Sequence, residues 1–147
     1  MDKKELLEKR FEFFDHTADA LFRAYGRDLI EAFSNAAFAL SAIMTDIELV
    51  SPNRKRRLVV ESKNEESLLY DFLEEIIYLI DAENFFLSKI AELKISCQAF
   101  KCRLEAELLG DDASNYTVYA IVKAITYNEM LIIKEPGFVT VQVVPDL

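Results

Sequence analysis

The spacing of apolar residues changes part-way along this chain, and this change constrains the fold more than any other feature. From Asp28 to Met44 and again from about Asn64 to Ala82, apolar residues recur every three or four positions, as on the buried face of a helix. From Phe85 onward, short runs typical of strands follow one another, each bounded by a polar, glycine or proline break. The sequence therefore predicts an α+β domain with a mainly antiparallel sheet and two principal helices.

The sequence predicts where both principal helices begin. Asp28, followed three residues later by Glu31, is an N-terminal capping signature that starts the first helix. The second helix is predicted from about Asn64 to Ala82, and its apolar face is wide enough to pack against a sheet and a second element. Two short extended segments, RFEFFDH and ALFRAYG, precede these helices.

Strand candidates account for most of the remaining chain. The segment RKRRLVVES lies between the two helices and contains β-branched residues. After the second helix the candidates are KIAELKISCQ, CRLEAELLGD, TVYAIVKAITY, EMLIIKE and FVTVQVV, separated by breaks at QAFK, DDASN, YNE and EPG. This succession favours an antiparallel sheet over a doubly wound parallel one.

The length and composition predict a single domain. A chain of 147 residues, 52% of them hydrophobic, buries roughly two-thirds of the surface of its unfolded form. We expect one domain over residues 1–147, with residues 1–10 as a loosely ordered N-terminal extension. That extension lacks the hydrophobic region of a signal peptide, and no apolar run reaches the roughly 18 residues of a membrane span. We therefore expect a cytoplasmic protein that does not bind membranes.

The net charge of −9 argues against a protein that binds nucleic acid through its overall electrostatic field. Any contact with RNA is expected to be local or indirect. One local basic run enters a predicted strand: Arg54, Lys55, Arg56 and Arg57. This run is either a solvated strand entry or a contact surface.

The two cysteines do not form a recognisable motif. Cys97 and Cys102 fit neither C-x-x-C nor the spacing of a zinc site, and a single histidine leaves too few soft ligands for structural zinc. We expect both cysteines to be reduced thiols.

The only histidine, His16, lies in the segment DHTAD, together with Asp15, Thr17 and Asp19. A metal site, a catalytic site and a helix or turn cap are all open explanations of this cluster. The sequence holds no G-x-S-x-G elbow, no H-E-x-x-H helix and no glycine-rich phosphate loop, so an enzyme is poorly supported. Carboxylates suit hard cations such as calcium or magnesium, whereas imidazole suits softer metals.

Four segments together resemble the archease family: DHTAD at residues 15–19, AYGRDLIEAFSNAAFAL at the first helix, VKAITY at residues 122–127, and the terminal VPDL. The resemblance implies a small α+β protein that acts as an accessory factor of the RtcB-type RNA ligase. That ligase joins a 2′,3′-cyclic phosphate or 3′-phosphate end to a 5′-hydroxyl end in tRNA splicing, using GTP and manganese. The accessory protein promotes guanylylation and repeated turnover of the ligase and is not itself the ligase.

The resemblance also implies a calcium site, with another divalent cation as the alternative. Carried over by position, its ligands are Asp19, Asp146 and Leu147. Leu147 would contribute its main-chain carboxylate, so an apolar side chain is compatible with an oxygen ligand. Without the resemblance, Asp19 would be interpreted as a cap or turn residue and Asp146 as part of a frayed end.

The neighbours of this site have less defined roles. Asp15 and His16 either orient the ligands or face the partner, and Lys123 joins the basic run as a candidate partner contact. The family has a glycine where this chain has Leu21 and often a histidine where it has Asn128. The second departure leaves the role of Asn128 open, but neither touches the three proposed ligands.

Two other classes of function stay open beside the ligase activator. One is a general chaperone or protein-interaction module. The other is a metal-dependent hydrolase that uses Asp15, His16 and Asp19, which rests on residue types alone.

Overall fold

The computed structural model describes residues 1–16 and 20–147 and has an α+β architecture, as the sequence predicts. Three helices lie within this part of the chain: α1 (Lys3–Lys9), α2 (Leu29–Met44) and α3 (Glu65–Glu83). The predicted start signals are correct, since Asp28 caps α2 by accepting a hydrogen bond from the Glu31 amide, and Asn64 caps α3. None of these helices combines the length and the apolar character needed to cross a bilayer.

The strands form two antiparallel sheets. They are β1 (Phe11–Asp15), β2 (Ala20–Gly26), β3 (Arg54–Ser62), β4 (Phe85–Gln98), β5 (Lys101–Asp112), β6 (Ala124–Glu135) and β7 (Phe138–Asp146). Sheet A has the strand order β1-β2-β7-β6, and sheet B has the order β3-β5-β4. Each of these pairings is antiparallel.

The helices α2 and α3 contact both sheets, and the main core lies at these contacts. Phe33 of α2 and Phe72 of α3 are fully buried and stack with their ring centroids 6.4 Å apart. Phe22 on sheet A and Leu104 on sheet B are also fully buried. The wide apolar face of α3 therefore has the two kinds of neighbour that the sequence predicts.

One strand prediction is wrong in its boundaries. The segment TVYAIVKAITY was expected to form one strand and EMLIIKE another, with YNE as the break between them. Instead, residues 117–123 lie outside the strands, and β6 runs from Ala124 to Glu135 with an irregular stretch at the expected break. The irregularity is a bulge, because pairing with β7 resumes beyond it.

The expectation of two reduced cysteines is also wrong in this structure. Cys97 and Cys102 lie directly opposite each other beside the β4–β5 turn, and their Sγ atoms are bonded at 2.15 Å. The sequence separation of five residues gives no motif, but a two-residue turn places the two positions face to face on adjacent strands.

The N-terminal extension contains a short helix. Asp2 caps α1 by accepting a hydrogen bond from the amide of Glu5, and none of the residues of α1 is buried. The helix contacts β1 and β2, and the Lys3 ammonium pairs with the carboxylate of Glu135 at 2.9 Å. Residues 3–9 are thus helical and are attached at the surface of sheet A.

Candidate functional site

Three of the four segments that carry the family motifs meet at one end of sheet A: the start of DHTAD, VKAITY and the terminal VPDL. The last residue of β1, Asp15, pairs with Ala20, the first residue of β2. β2 then pairs with β7 so that its first residues lie beside the last residues of β7, with Phe22 opposite Val143. The pairing of β6 with β7 places Ala124 opposite Asp146. The ends of all four strands therefore converge near the C-terminal residues.

Asp146 and Leu147, two of the three predicted metal ligands, lie at this end and are exposed. The main-chain oxygen of Asp146 accepts a hydrogen bond of 2.8 Å from the amide of Lys123. This bond holds the residue before β6 against the end of β7 and brings the exposed Lys123 beside Asp146. Asp15 is also exposed at this end of the sheet.

Asp19, the third predicted ligand, and Thr17 lie outside the described residues. Asp19 directly precedes Ala20 in the sequence, and Ala20 belongs to the same end of sheet A. Within residues 1–16 and 20–147, no three His, Cys, Asp or Glu side chains are grouped as a metal site would require. This finding does not test the predicted ligand set, because Asp19 lies outside the described residues and the proposed ligand of Leu147 is its main-chain carboxylate. The ligand set stays a prediction.

The bulge in β6 interrupts the pairing with β7 and contacts the side chain of Gln142. Residues 127–130 lie opposite Val143 alone, since pairing with β7 is interrupted between Thr126 and Leu131. Glu129 adopts φ 55°, a left-handed conformation that is uncommon for residues other than glycine. Its main-chain oxygen accepts a hydrogen bond of 2.8 Å from the side-chain amide of Gln142, on β7.

The bulge also reaches His16. The imidazole Nε2 of His16 lies 2.5 Å from the Oε2 of Glu129, across 113 positions of sequence. A carboxylate accepts hydrogen bonds, so Nε2 is the protonated donor in this contact. The other ring nitrogen, Nδ1, is buried and has no hydrogen-bond partner within the described part of the chain.

A chain of polar contacts extends from this pair across sheet A. Gln142 is 6% exposed; its oxygen accepts a hydrogen bond of 2.9 Å from Nε of Arg23, and its nitrogen donates to the bulge. The Arg23 guanidinium in turn lies 4.9 Å from the centroid of the Phe14 ring. These contacts connect all four strands of sheet A and the segment after β1, so they orient His16 and the bulge relative to the C-terminal residues.

Sequence reasoning did not identify Glu129, Gln142 or Arg23. The only local signal was a charged residue within the YNE break, which is ordinary for a turn. Asn128, where the archease family often has a histidine, is exposed at the bulge. Its main-chain amide donates a long hydrogen bond of 3.3 Å to Thr126 Oγ1. This contact uses the main chain of Asn128, so it does not depend on its side chain.

The basic run lies apart from this site, on β3 of sheet B. Arg54 donates to the main-chain oxygens of residues 83 and 84, and Arg56 pairs with Glu83 at 2.5 Å. Lys55 lies 3.2 Å from a carboxylate oxygen of Glu107, and Arg57 lies 3.5 Å from one of Glu105. Each of the four basic side chains thus has a partner within the chain, which favours a solvated strand entry over a contact surface.

Comparison with known proteins gives a consistent result. The sequence profile described as the Archease protein family (MTH1598/TM1083) matches residues 11–147. The chain belongs to the archease family. The match leaves out α1 and includes both sheets, α2, α3 and the C-terminal residues.

Individual archease relatives match nearly the whole chain. The protein archease of Methanothermobacter thermautotrophicus is 40% identical over 140 residues, covering 95% of this chain and 99% of its own length. The protein archease of Sulfurisphaera tokodaii is 36% identical over 141 residues, with coverage of 95% and 99%. The chain therefore spans nearly the whole length of both relatives.

Solved structures agree with the family assignment. The solution structure of protein 1598 of Methanobacterium thermoautotrophicum matches with a TM-score of 0.80 and 38% identity, covering 95% of this chain and 99% of that one. The crystal structure of a Thermotoga maritima archease, described as a possible chaperone, matches with a TM-score of 0.56 and 15% identity over 91% and 94% of the two chains. At that identity, the second match shows the archease fold alone.

Proposed function

We propose that this archease is a metal-binding activator of an RtcB-type RNA ligase in tRNA splicing. In this proposal it acts in the cytoplasm as a protein cofactor of the ligase, promotes guanylylation and multiple turnover, and is not itself an enzyme. The observation that carries the proposal is membership of the archease family over residues 11–147. The convergence of three of the four motif-bearing segments at one end of sheet A supports it.

The proposed metal ligands are Asp19, Asp146 and the main-chain carboxylate of Leu147. All three donors are oxygens, the ligand type that calcium prefers. Asp146 is exposed at the end of the sheet where β2 begins, and Asp19 is the residue before β2. A bound divalent cation would offset the mutual repulsion of these carboxylates.

The same end of sheet A is the proposed contact with the ligase. This protein has a net charge of −9, and an acidic surface would complement the basic channel expected in an enzyme that handles RNA. Lys123 is exposed beside Asp146 and is the candidate for a local contact of opposite charge. The basic run on β3 is a weaker candidate, because its side chains already have partners within the chain.

The test is an exon-joining assay with the cognate ligase, GTP and manganese, with and without this archease. We expect the archease to increase the number of turnovers per ligase molecule. Asp146→Ala should abolish both this increase and calcium binding measured by calorimetry. Asp81→Ala is the matched control, because it removes another exposed carboxylate from the C-terminal part of α3.

A second comparison isolates the main-chain ligand. A C-terminal extension converts the Leu147 carboxylate into a neutral amide and should remove calcium binding, whereas an N-terminal tag should leave it intact. Leu147→Val should have a mild effect, because the proposed ligand is not the side chain. Full calcium affinity in the extended protein would contradict the proposed coordination.

The competing functions give different results in the same assay. RNA ligation or nucleotide hydrolysis by the purified protein without ligase would favour an enzyme, including a hydrolase built on Asp15, His16 and Asp19. A general chaperone would prevent aggregation of unrelated proteins and would have no specific effect on ligase turnover. Either result would replace the proposal.

A further inference from the structure

The disulfide at the β4–β5 turn lies apart from the candidate site, on the other sheet. Gln98 pairs with Lys101 beside the two-residue turn, and Cys97 pairs with Cys102 at the next position. Pairs in an antiparallel ladder alternate, so the pair after the one that flanks the turn is of the non-hydrogen-bonded type, in which side chains approach closely. The Cα atoms of the two cysteines are 4.1 Å apart.

This geometry does not depend on the disulfide. The pairing of β4 with β5 continues from the turn to Phe85 and Asp112 at the far end of the hairpin, and β5 also pairs with β3 along its length. The sheet would therefore keep the two sulfur atoms adjacent in the reduced protein. Oxidation and reduction therefore require small movements of side chains and no movement of the main chain.

The disulfide is expected to add little to the stability of the folded protein. It closes a loop with only four residues, 98–101, between the cysteines, and the stabilisation from restricting the unfolded chain is smaller for short loops than for long ones. The two strands are already registered by the hairpin. A purely stabilising role therefore explains the pair poorly.

The two sulfurs differ in access to solvent. Cys97 is exposed, whereas Cys102 is 3% exposed and belongs to the core. Both cysteines line an open groove of about 530 Å³ between the hairpin turn and the start of α3, where Asn64, Glu65 and Phe100 are among the other lining residues. A small thiol can approach through this groove, and Cys97 is the sulfur it meets first.

We propose that Cys97 and Cys102 form a reversible thiol–disulfide site that exchanges with glutathione or a dithiol, with Cys97 as the attacked sulfur. A thiolate of the reductant attacks Cys97 Sγ, forming a mixed disulfide as the bond between the two cysteines breaks. The electron pair of the broken bond goes to Cys102 Sγ, which then takes a proton from water. A second thiolate of the reductant then attacks the reductant's sulfur in the mixed disulfide, and Cys97 Sγ leaves as a thiolate that takes a proton from water. The products are two protein thiols and the reductant in its disulfide form.

This proposal does not depend on the ligase. It is compatible with the cytoplasmic location proposed above, because stable structural disulfides are rare in that compartment whereas redox-responsive ones occur there. It also agrees with the exposed position of the attacked sulfur, since strained or exposed disulfides are the more readily exchanged ones.

The first test uses the full-length protein without denaturant. After equilibration with oxidised glutathione, alkylation should find no free thiols, and after treatment with dithiothreitol it should find two. The folded state is monitored by circular dichroism in both conditions. Two free thiols after oxidation, or a disulfide that is reduced only in denaturant, would overturn the proposal.

The second test measures which sulfur reacts. In the variant Cys102→Ser, Cys97 should form a mixed disulfide with oxidised glutathione about tenfold or more faster than Cys102 does in Cys97→Ser, because of its exposure. Substoichiometric alkylation of the reduced wild-type protein, followed by peptide mapping, gives the same comparison if a variant fails to fold. Equal labelling, or faster labelling of Cys102, would contradict the assignment of Cys97.

Discussion

At the scale of single residues, Gly26 determines how closely α2 can approach β2. A Cβ atom built at Gly26 would lie 2.2 Å from the main-chain nitrogen of Ala32 and 2.7 Å from the carbonyl carbon of Glu31. Both atoms belong to the backbone of α2, so a flexible side chain cannot move aside to make room. The absence of a side chain at the end of β2 is therefore required by packing.

We expect Gly26→Ala to lower the free energy of unfolding by about 3 kcal/mol or more, because overpacking here displaces a helix backbone. Gly137→Ala is the matched control. Gly137 has φ 70°, but its added Cβ would meet no atom within 4 Å, so only the cost of a left-handed alanine, about 1 kcal/mol, applies. Urea denaturation of both variants measures the difference, and an equal effect at the two positions would contradict the packing argument.

At the scale of elements, the helix caps connect the local sequence to the observed boundaries. The side chain of Asn64 accepts a hydrogen bond from the Ser67 amide at 2.8 Å, and Ser67 Oγ accepts one from the Asn64 amide at 3.2 Å. This reciprocal capping box satisfies amide groups at the start of α3 that have no partner inside the helix. The start of α3 lies beside the groove of the cysteine pair.

Asn64→Ala should therefore lower the free energy of unfolding by about 1 kcal/mol, measured by urea denaturation. Asn64→Asp is the control and should retain most of the stability, because a carboxylate also accepts the Ser67 amide and interacts favourably with the N-terminus of the helix. An unchanged midpoint for Asn64→Ala would show that the cap contributes nothing measurable to folding.

At the scale of the whole molecule, acidic side chains with lowered pKa values determine the response to acid. Hydrogen bonds from the Lys9 ammonium and the Tyr25 hydroxyl lower the pKa of Glu12 from its ordinary value of 4.5. A hydrogen bond from the Tyr116 hydroxyl lowers the pKa of Asp111 from its ordinary value of 3.8. Both carboxylates thus bind protons less readily in the folded state than in the unfolded chain.

The sign of the resulting pH dependence follows from linkage. A carboxylate with a lowered pKa in the folded state contributes stability that is complete above the unfolded pKa and is lost as the pH falls through the folded pKa. We therefore expect the urea midpoint to be roughly constant from about pH 7 to about pH 5 and to fall below about pH 4.

Tyr116→Phe provides the matched variant for this measurement. It removes the donor to Asp111, so the pKa of Asp111 should rise toward its ordinary value and the acid-dependent loss of stability should become smaller. The variant should also be less stable at neutral pH, because the Tyr116 hydroxyl accepts the Ser51 amide at 2.9 Å. A midpoint that rises on acidification of the wild-type protein would contradict the sign.

Features that depend on neighbouring residues can be predicted from the sequence. The capping residues Asp28 and Asn64, the helical spacing of α2 and α3 and the turn at 98–101 act within a few positions of the chain, so they can be recognised without tertiary structure. The α+β class was predicted from the spacing of apolar residues and the archease family from the resemblance of four segments, and both are confirmed. The ligands Asp19, Asp146 and Leu147 stay a prediction that rests on the family resemblance.

Contacts between residues far apart in the chain depend on how the strands and helices pack together. The bulge of β6 appeared as a simple break in the sequence, because a bulge and a turn use similar residues, and only pairing with β7 distinguishes them. The contact between His16 and Glu129 spans 113 positions and depends on the register of four strands. The partners of the basic run likewise depend on which strands become neighbours, which residue type and spacing do not specify. Cys97 and Cys102 are only five positions apart, and their pairing depends on the exact register of the hairpin that β4 and β5 form.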